Sequence, residues 1–157
     1  MPPFTVYKGK NLYRQWTFGG PTNAGYGCSP SGWMEGINFE EWFRAIFIKT
    51  VAKEEKPVLL LFDGHNSHLT FSTVQAAIEN QIILLCLPPH TSHRLQPWNV
   101  GFFGPFKTIW RDQLKSWARA TKYQPVTKPI FPTLLKGAWE KISKKPITGG
   151  FLGIFHD

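Results

Sequence analysis

Two clusters of polar side chains each follow a short apolar run of the sequence, residues 58–62 and residues 82–87. Both runs are typical of buried strands, and the carboxyl ends of adjacent parallel strands meet at one edge of a sheet. That edge would then gather one carboxylate and four imidazoles, those of Asp63, His65, His68, His90 and His93. A carboxylate at the end of a strand is a natural ligand for a hard cation such as Mg²⁺.

Other interpretations of these side chains stay open at this point. Asp63 precedes Gly64, and an aspartate in such a turn often binds the backbone amide two residues further on. The two His-x-x-His pairs could bind zinc or copper, or they could only orient the acid at the strand edge. Cys86 lies within an apolar run, which favours a small core residue over a nucleophile.

The elements that would position these clusters form a strand–helix–strand unit. Residues 58–62 predict a central strand that is buried on both faces, and residues 82–87 predict a second one. Between them, Ser72 is a candidate N-cap for a helix that stops near Asn80. The predicted inner face of this helix consists of Val74, Ala77 and Ile78. We expect such a unit to be parallel and right-handed.

The N-terminal third predicts one strand, one loop and one helix. Residues 4–8 alternate as in a strand with one buried face. Residues 19–36 hold so many glycines, prolines and other turn formers that they predict a loop. Asn38 is a candidate N-cap, and apolar side chains at helical spacing predict a helix over residues 39–52.

A long amphipathic segment follows Pro97 and predicts a helix with Pro105 in its first turn, because proline is not tolerated in a helix interior. Its apolar stripe consists of Phe103, Phe106, Trp110, Leu114 and Trp117. A neighbouring stripe, four residues apart, is basic and consists of Lys107, Arg111, Lys115 and Arg119. A shorter helix around residues 134–142 ends in a second basic group, Lys141, Lys144 and Lys145.

The positive charge is concentrated at this end of the chain. Residues 1–99 hold 8 basic and 7 acidic side chains, a net charge of +1, and residues 100–157 hold 10 and 3, a net charge of +7. A positive field of this kind suits a polyanion such as nucleic acid. The alternative is a solvated face with no partner.

The chain has 157 residues, of which 42% are hydrophobic and 15% aromatic. This is enough to bury a core, and we expect one domain over residues 1–157, with a looser helical extension over residues 123–157. The longest apolar runs fall far short of the roughly 18 residues that a membrane span needs. The two cysteines cannot supply a disulfide framework or four zinc ligands, so the composition favours a globular protein of the cell interior.

Three segments resemble the DDE superfamily endonuclease domain of pogo, Tigger and jerky-like transposases. They are VLLLFDGHNSH at residues 58–68, IILLCLPPHTSH at residues 82–93 and LQPWNVGFFGPFK at residues 95–107. The similarity continues upstream and downstream of these segments, in residues 2–10, 31–34, 136–140 and 150–155. The resemblance implies a ribonuclease-H-like α/β fold, a mixed sheet with flanking helices. It also implies that Mg²⁺ or Mn²⁺, held by three acidic residues, assists the cutting and joining of DNA.

The resemblance assigns the three acids one at a time. Asp63 matches the second acid of the family and is the expected metal ligand. The third acid falls at Asn99, where this chain has an amide. In the family the first acid precedes the segment with which this chain begins. We therefore expect a sheet that lacks its first strand and much of its second, with an exposed edge. One aspartate and one asparagine supply too little negative charge for two magnesium ions.

The sequence therefore predicts a transposase-derived domain, located in the nucleus, that binds DNA through its basic helices and does not cleave it. The Mg²⁺ or Mn²⁺ that the resemblance implies would not be bound productively. An active metal-dependent endonuclease or strand transferase is the alternative if a longer gene product supplies the missing acid. A second alternative is a non-enzymatic interaction module, a homo-oligomer or a partner of another protein, for which apolar residues 151–155 are the hint.

Overall fold

The structure is a computed structural model that describes residues 1–62, 70–87 and 102–144. Its strands are β1 (Phe4–Lys8), β2 (Gly25–Ser29), β3 (Val58–Phe62) and β4 (Ile82–Cys86). Helix α1 runs without a break through Gly36–Trp42, a π-helical segment Phe43–Phe47, and Ile48–Thr50. The later helices are α2 (Phe71–Glu79), α3 (Gly104–Ala120) and α4 (Phe131–Ser143), and a short 3₁₀ helix covers Arg14–Trp16.

The described strands form two separate parallel pairs, β1 with β2 and β3 with β4. The predicted strand–helix–strand unit is confirmed in its elements and in its parallel pairing, which sets Val58 opposite Ile82 and Phe62 opposite Cys86. The α/β class is likewise confirmed. The single mixed sheet of the ribonuclease-H-like prediction is not seen within the described residues, where each sheet has two strands.

Strand β2 lies inside the segment predicted to be a loop, so that prediction is wrong for residues 25–29. The glycines of β2 allow close packing rather than a turn. A Cβ added at Gly25 would lie 2.3 Å from the Phe4 ring, and one at Gly27 would lie 2.2 Å from Oδ1 of Asn38. Pairing with β1 and contact with α1 therefore outweigh the low strand propensity of glycine.

Helix α1 begins earlier than predicted, with Glu35 at its N-cap position. Asn38, the predicted cap, is instead buried in the helix, and its Nδ2 donates a hydrogen bond to the Cys28 carbonyl at 3.3 Å. A buried amide needs such a partner. This hydrogen bond of Asn38 therefore joins α1 to β2.

The hydrophobic core is built around α1. Its side chains at Phe39, Trp42, Phe43 and Phe47 are at most 1% exposed. They pack against one face of the β3–β4 pair and against α2, through Leu60, Phe62, Ala76, Ala77 and Ile82. This single cluster holds α1, α2 and the β3–β4 pair together.

The opposite face of the β3–β4 pair is open. Leu59 is 48% exposed, Ile83 51% and Leu85 48%. The prediction that both strands are buried on both faces is therefore wrong in the described structure. The buried side chains of the pair, Leu60, Phe62 and Ile82, belong to the core cluster with α1 and α2, because these helices lie on one side of the pair.

Helix α2 ends at Asn80 as predicted, but its start and its inner face differ from the prediction. Thr70 caps it, since the Thr73 amide donates to Thr70 Oγ1 at 3.1 Å. The predicted cap, Ser72, contacts α1 instead. The buried face is Thr73, Ala76 and Ala77, whereas the predicted Val74 and Ile78 are exposed. Small side chains let α2 approach the aromatic side chains of α1 closely.

Helix α3 has Pro105 in its first turn, as predicted. Its apolar stripe packs on α4, with ring centroids 5.4 Å apart for Trp110 and Phe131 and 5.9 Å apart for Phe106 and Trp139. The Tyr7 ring of β1 lies 6.1 Å from the Phe131 ring, so the helix pair contacts the first sheet. None of the helices in the described ranges has the length and hydropathy to span a membrane.

Candidate functional site

The predicted catalytic cluster lies outside the described residues. This applies to Asp63, Asn99, His65, His68, His90 and His93, and Lys145 of the second basic group lies outside them as well. Their roles stay predictions. The structure does place the two strands that precede the clusters side by side, and the Leu87 amide donates to the Phe62 carbonyl at 2.7 Å. Strands β3 and β4 therefore end at the same edge of the sheet. Strand β3 ends immediately before Asp63, and strand β4 ends just before Pro88.

Outside the predicted cluster, the described residues offer no site for the metal pair that the family implies. Among the described residues, no group of three or more His, Cys, Asp or Glu side chains could hold a metal ion. At the two positions that the sequence resemblance matches to family acids, the chain has one carboxylate, Asp63, and one amide, Asn99, so a shortage of carboxylates there stays a prediction. Two magnesium ions close together need several carboxylates to offset their charge.

The predicted basic stripe is present on α3. Lys107, Arg111, Lys115 and Arg119 are all exposed. Residues four apart on an α-helix are separated by about 6 Å along its axis and by about 40° around it, so the stripe is about 18 Å long and winds slowly around α3. The packing of the apolar side of α3 on α4 fixes the direction in which this stripe points.

The charges of the stripe are largely uncompensated. Lys115 Nζ lies 3.9 Å from Asp112 Oδ1, but both side chains are about two-thirds exposed (69% and 67%), and such pairs are weak. Arg111 Nε donates to the Lys107 carbonyl at 3.3 Å, a contact that leaves both positive charges in place. In the part of the chain that the structure describes, no carboxylate pairs with Lys107, Arg111 or Arg119. The stripe can therefore attract an external anion.

The basic group of α4 does not continue this stripe. Lys141 Nζ donates to Gln113 Oε1 at 3.2 Å. Gln113 is two residues from both Arg111 and Lys115, which places it about 160° around the helix from them. Lys141 therefore lies on the opposite side of α3 from the stripe, and Lys144 is exposed at the C-terminal end of α4.

The sequence analysis did not predict a third basic group, Arg14 and Lys128, whose side chains lie over aromatic rings. Lys128 Nζ lies 4.3 Å from the centroid of the Trp16 ring, and the Arg14 guanidinium lies 5.4 Å from the centroid of the Phe18 ring. A signal was present in the sequence, since residues 1–34 and residues 113–139 contain no aspartate or glutamate. The contact between the two segments could not be predicted, because they lie far apart in the chain.

The shifted pKa values of the described residues belong to structural groups. A hydrogen bond from Ser72, and then one from Arg44, lower the pKa of the Glu40 carboxyl. Burial raises the pKa of Tyr7, whose hydroxyl donates to the Trp16 carbonyl at 2.9 Å, and burial also raises the pKa of Tyr26. None of these groups belongs to the basic stripe, so they give no sign of acid–base catalysis there.

Comparison with known proteins gives two matches. The sequence profile of the DDE superfamily endonuclease family matches residues 1–151. A curated protein, the MFS-type transporter clz9 of Cochliobolus lunatus, is 33% identical over 117 residues, which is 73% of this chain but only 13% of that protein. No solved structure matches the chain. Because the family profile covers nearly the whole sequence, the chain belongs to the DDE superfamily endonuclease family.

Proposed function

We propose that this chain is a transposase-derived DDE domain that binds DNA through the basic stripe of α3 and does not cut it. One observation carries the proposal. Four exposed cations are aligned on one side of α3, and three of them pair with no carboxylate in the described residues. The other side of the helix is fixed by its packing on α4.

The dimensions of the stripe suit a phosphate backbone. One strand of duplex DNA presents a phosphate about every 3.4 Å along the axis, so about 18 Å of stripe faces roughly five phosphates. Contacts of this kind position a protein on DNA without reading its sequence. We therefore expect weak, nonspecific binding that depends strongly on salt.

The proposal that the domain does not cut DNA rests on Asn99. The family holds its metals with carboxylates, and an amide oxygen at this position is neutral and supplies one ligand only. A ribonuclease-H-like arrangement around β3, α2 and β4, and a nuclear location, belong to the same proposal. The family match and the parallel β3–β4 pair support the first of these, and the second follows only from the proposed DNA ligand.

The binding experiment measures fluorescence anisotropy of a labelled duplex of arbitrary sequence between about 50 and about 300 mM KCl. We expect the logarithm of the affinity to fall with the logarithm of salt with a slope of up to about −3.6, or about 0.9 for each of four phosphates. The variant Lys107→Glu/Arg111→Glu should lose about tenfold or more in affinity, and its slope should become shallower by about 1.8.

The matched control is Lys49→Glu/Lys53→Glu, which changes the net charge equally at two exposed positions of the N-terminal half. It should bind nearly as well as the wild type. Equal losses in the two variants would mean that only the overall charge matters, and the α3 stripe would be rejected as the contact.

The cleavage experiment follows nicking of supercoiled DNA with Mg²⁺ or Mn²⁺. We expect no nicking by the wild type, because the matched acids provide a single carboxylate. The control is Asp63→Ala, which should be equally inactive. Metal-dependent nicking by the wild type that Asp63→Ala abolishes would contradict the proposal that the domain does not cut DNA.

A further inference from the structure

We propose that a second surface binds single-stranded DNA by stacking unpaired bases on exposed aromatic rings. This surface, called the Trp16 surface below, consists of Tyr13, Arg14, Trp16, Phe18 and Lys128. It is built from the connection between β1 and β2 and from the segment between α3 and α4. The inference rests on the proposed function only in taking DNA as the ligand.

The rings of the Trp16 surface combine exposure with a fixed support. Tyr13 is 52% exposed and Phe18 is 55% exposed. The Tyr13 ring lies 4.7 Å from the Trp16 ring, which in turn lies 5.4 Å from the buried Tyr7 ring. The Tyr7 hydroxyl also holds the Trp16 carbonyl. Exposed rings on a rigid support form a platform on which any base can stack, because every base has a flat π-face.

A cation lies beside two of these rings. Lys128 is placed over Trp16 and also donates a hydrogen bond to the Lys8 carbonyl, and Arg14 is placed over Phe18. A cation next to a stacked base can bind the phosphate that accompanies it. The combination of ring and cation therefore matches both parts of a nucleotide.

The positive charge of the segments that build the Trp16 surface favours a polyanion as its ligand. The two connections that build this surface, residues 9–24 and residues 121–130, contain no carboxylate and hold two basic side chains each. A peptide partner would need acidic side chains to match this field along its length, whereas every nucleotide carries a phosphate. Charge complementarity therefore favours a nucleic acid strand.

The exposed rings of the Trp16 surface, and a groove beside Lys128, favour unpaired bases. A shallow groove of about 270 Å³ lies between β1 and the segment around Lys128, lined by residues 5–8, residues 126–128 and Phe131, so that Lys128 is the residue it shares with the Trp16 surface. It is slightly smaller than ordinary small-molecule pockets, which begin near 300 Å³. An unpaired base can stack on the exposed Tyr13 or Phe18 ring, whereas a duplex keeps its bases stacked on one another, away from protein rings.

The test compares two labelled probes of equal length, an oligothymidine of about 20 nucleotides and a duplex, with affinity read by fluorescence anisotropy. The variant Tyr13→Ala/Phe18→Ala should bind the oligothymidine about tenfold or more weakly, since stacking on each ring is lost, while its affinity for the duplex should not change. The single variant Phe18→Ala should show part of the same loss. Tyr13→Phe keeps the ring and should bind as the wild type does.

The matched control is Phe71→Ala, which removes an aromatic ring that is 85% exposed at the start of α2. It should leave both affinities unchanged. An unchanged affinity of Tyr13→Ala/Phe18→Ala for the oligothymidine would overturn the inference, and so would equal losses on both probes, because the rings would not distinguish unpaired bases.

The two DNA proposals fail in different ways. If the wild type binds the oligothymidine but not the duplex, the α3 stripe is rejected as a duplex contact and the Trp16 surface is retained. If Lys107→Glu/Arg111→Glu loses the duplex and keeps the oligothymidine, both proposals are supported. If the wild type binds neither probe, both are rejected.

Discussion

Helices α1 and α3 both carry an aromatic stripe at helical spacing, but the structure uses the two stripes differently. In α1, Phe39, Trp42, Phe43 and Phe47 are at most 1% exposed. In α3 no residue is fully buried. The same periodicity thus produces the centre of the core in one helix and an anchored, charge-bearing surface in the other.

The two helices differ in burial because α1 packs against more neighbouring elements than α3 does. Helix α1 is covered by β2 on one side, through Asn38, and by the β3–β4 pair and α2 on another. Helix α3 packs chiefly on α4 among the described elements. A stripe with one neighbour is half-covered, and the residues beside it stay in solvent, where basic side chains avoid the cost of burial. Amphipathicity alone therefore does not distinguish a core helix from a helix with an exposed, charged side.

The largest expected effect is the loss of a core ring. Trp42→Ala should lower the free energy of unfolding by about 3–5 kcal/mol, because a fully buried ring leaves a cavity. The matched change in the other helix, Trp110→Ala, removes a partly exposed ring and should cost clearly less. Urea denaturation of both variants measures the difference. Equal costs would show that α3 is as deeply embedded as α1.

A smaller effect on the free energy of unfolding is expected for two glycines, Gly25, which contacts α1, and Gly137, which contacts α3. Gly25→Ala should destabilise the protein by about 1–3 kcal/mol, because the new methyl would lie 2.3 Å from the Phe4 ring and 2.8 Å from Ile46 Cδ1. Gly137→Ala in α4 should be neutral or stabilise by up to about 1 kcal/mol. There the methyl would meet only the movable end of the Gln113 side chain, and alanine favours a helix.

Thermal and urea unfolding of these two variants give the sign of each change. Gly9→Ala is a second control, since its nearest atom would be 3.7 Å away. A Gly25→Ala protein as stable as the wild type would contradict the close contact between β1, β2 and α1.

The smallest expected effect is electrostatic. Ser72 Oγ donates to the Glu40 carboxylate, and Arg44 Nε lies 2.9 Å from it, so the pKa of Glu40 is lowered in the folded state. The stability that results is present above the ordinary glutamate pKa, about 4.3, and is lost as the pH falls through the lowered value. Because the pair is partly exposed, the loss is expected to be small.

The measurement is the free energy of unfolding between about pH 7 and about pH 3. Glu40→Gln should flatten the acid side of this curve more than the control Glu41→Gln, which removes an exposed neighbouring carboxylate. A curve of wild-type shape for Glu40→Gln would show that the bonds to Ser72 and Arg44 do not stabilise the fold.

Local patterns predicted part of the fold well. Strands β3 and β4, the end of α2 at Asn80 and the start of α3 around Pro105 follow from short apolar runs and from the geometry of proline. The basic stripe of α3 was predicted for the same reason, since a four-residue period places side chains on one side of a helix. The catalytic roles of Asp63 and Asn99 stay predictions from the family resemblance.

Other features could not be predicted because their partners lie in distant segments. Glycines in β2 were interpreted as turn formers, yet they make room for Phe4 and Asn38. Asn38 and Ser72 were interpreted as helix caps, yet each bonds a different element. The Trp16 surface depends on Lys128, which bonds the carbonyl of Lys8, 120 residues earlier in the chain.

By itself, the sequence determined the family, the alternation of strand, helix and strand around residues 58–86, and the line of positive charge on α3. These properties depend on neighbouring residues and on the period of a single element. The tertiary structure decided which aromatic stripe becomes the core, which face of β3–β4 is covered, and which cations meet aromatic rings. Those outcomes depend on which elements pack together, and packing is set by the fit of many side chains that are distant in sequence.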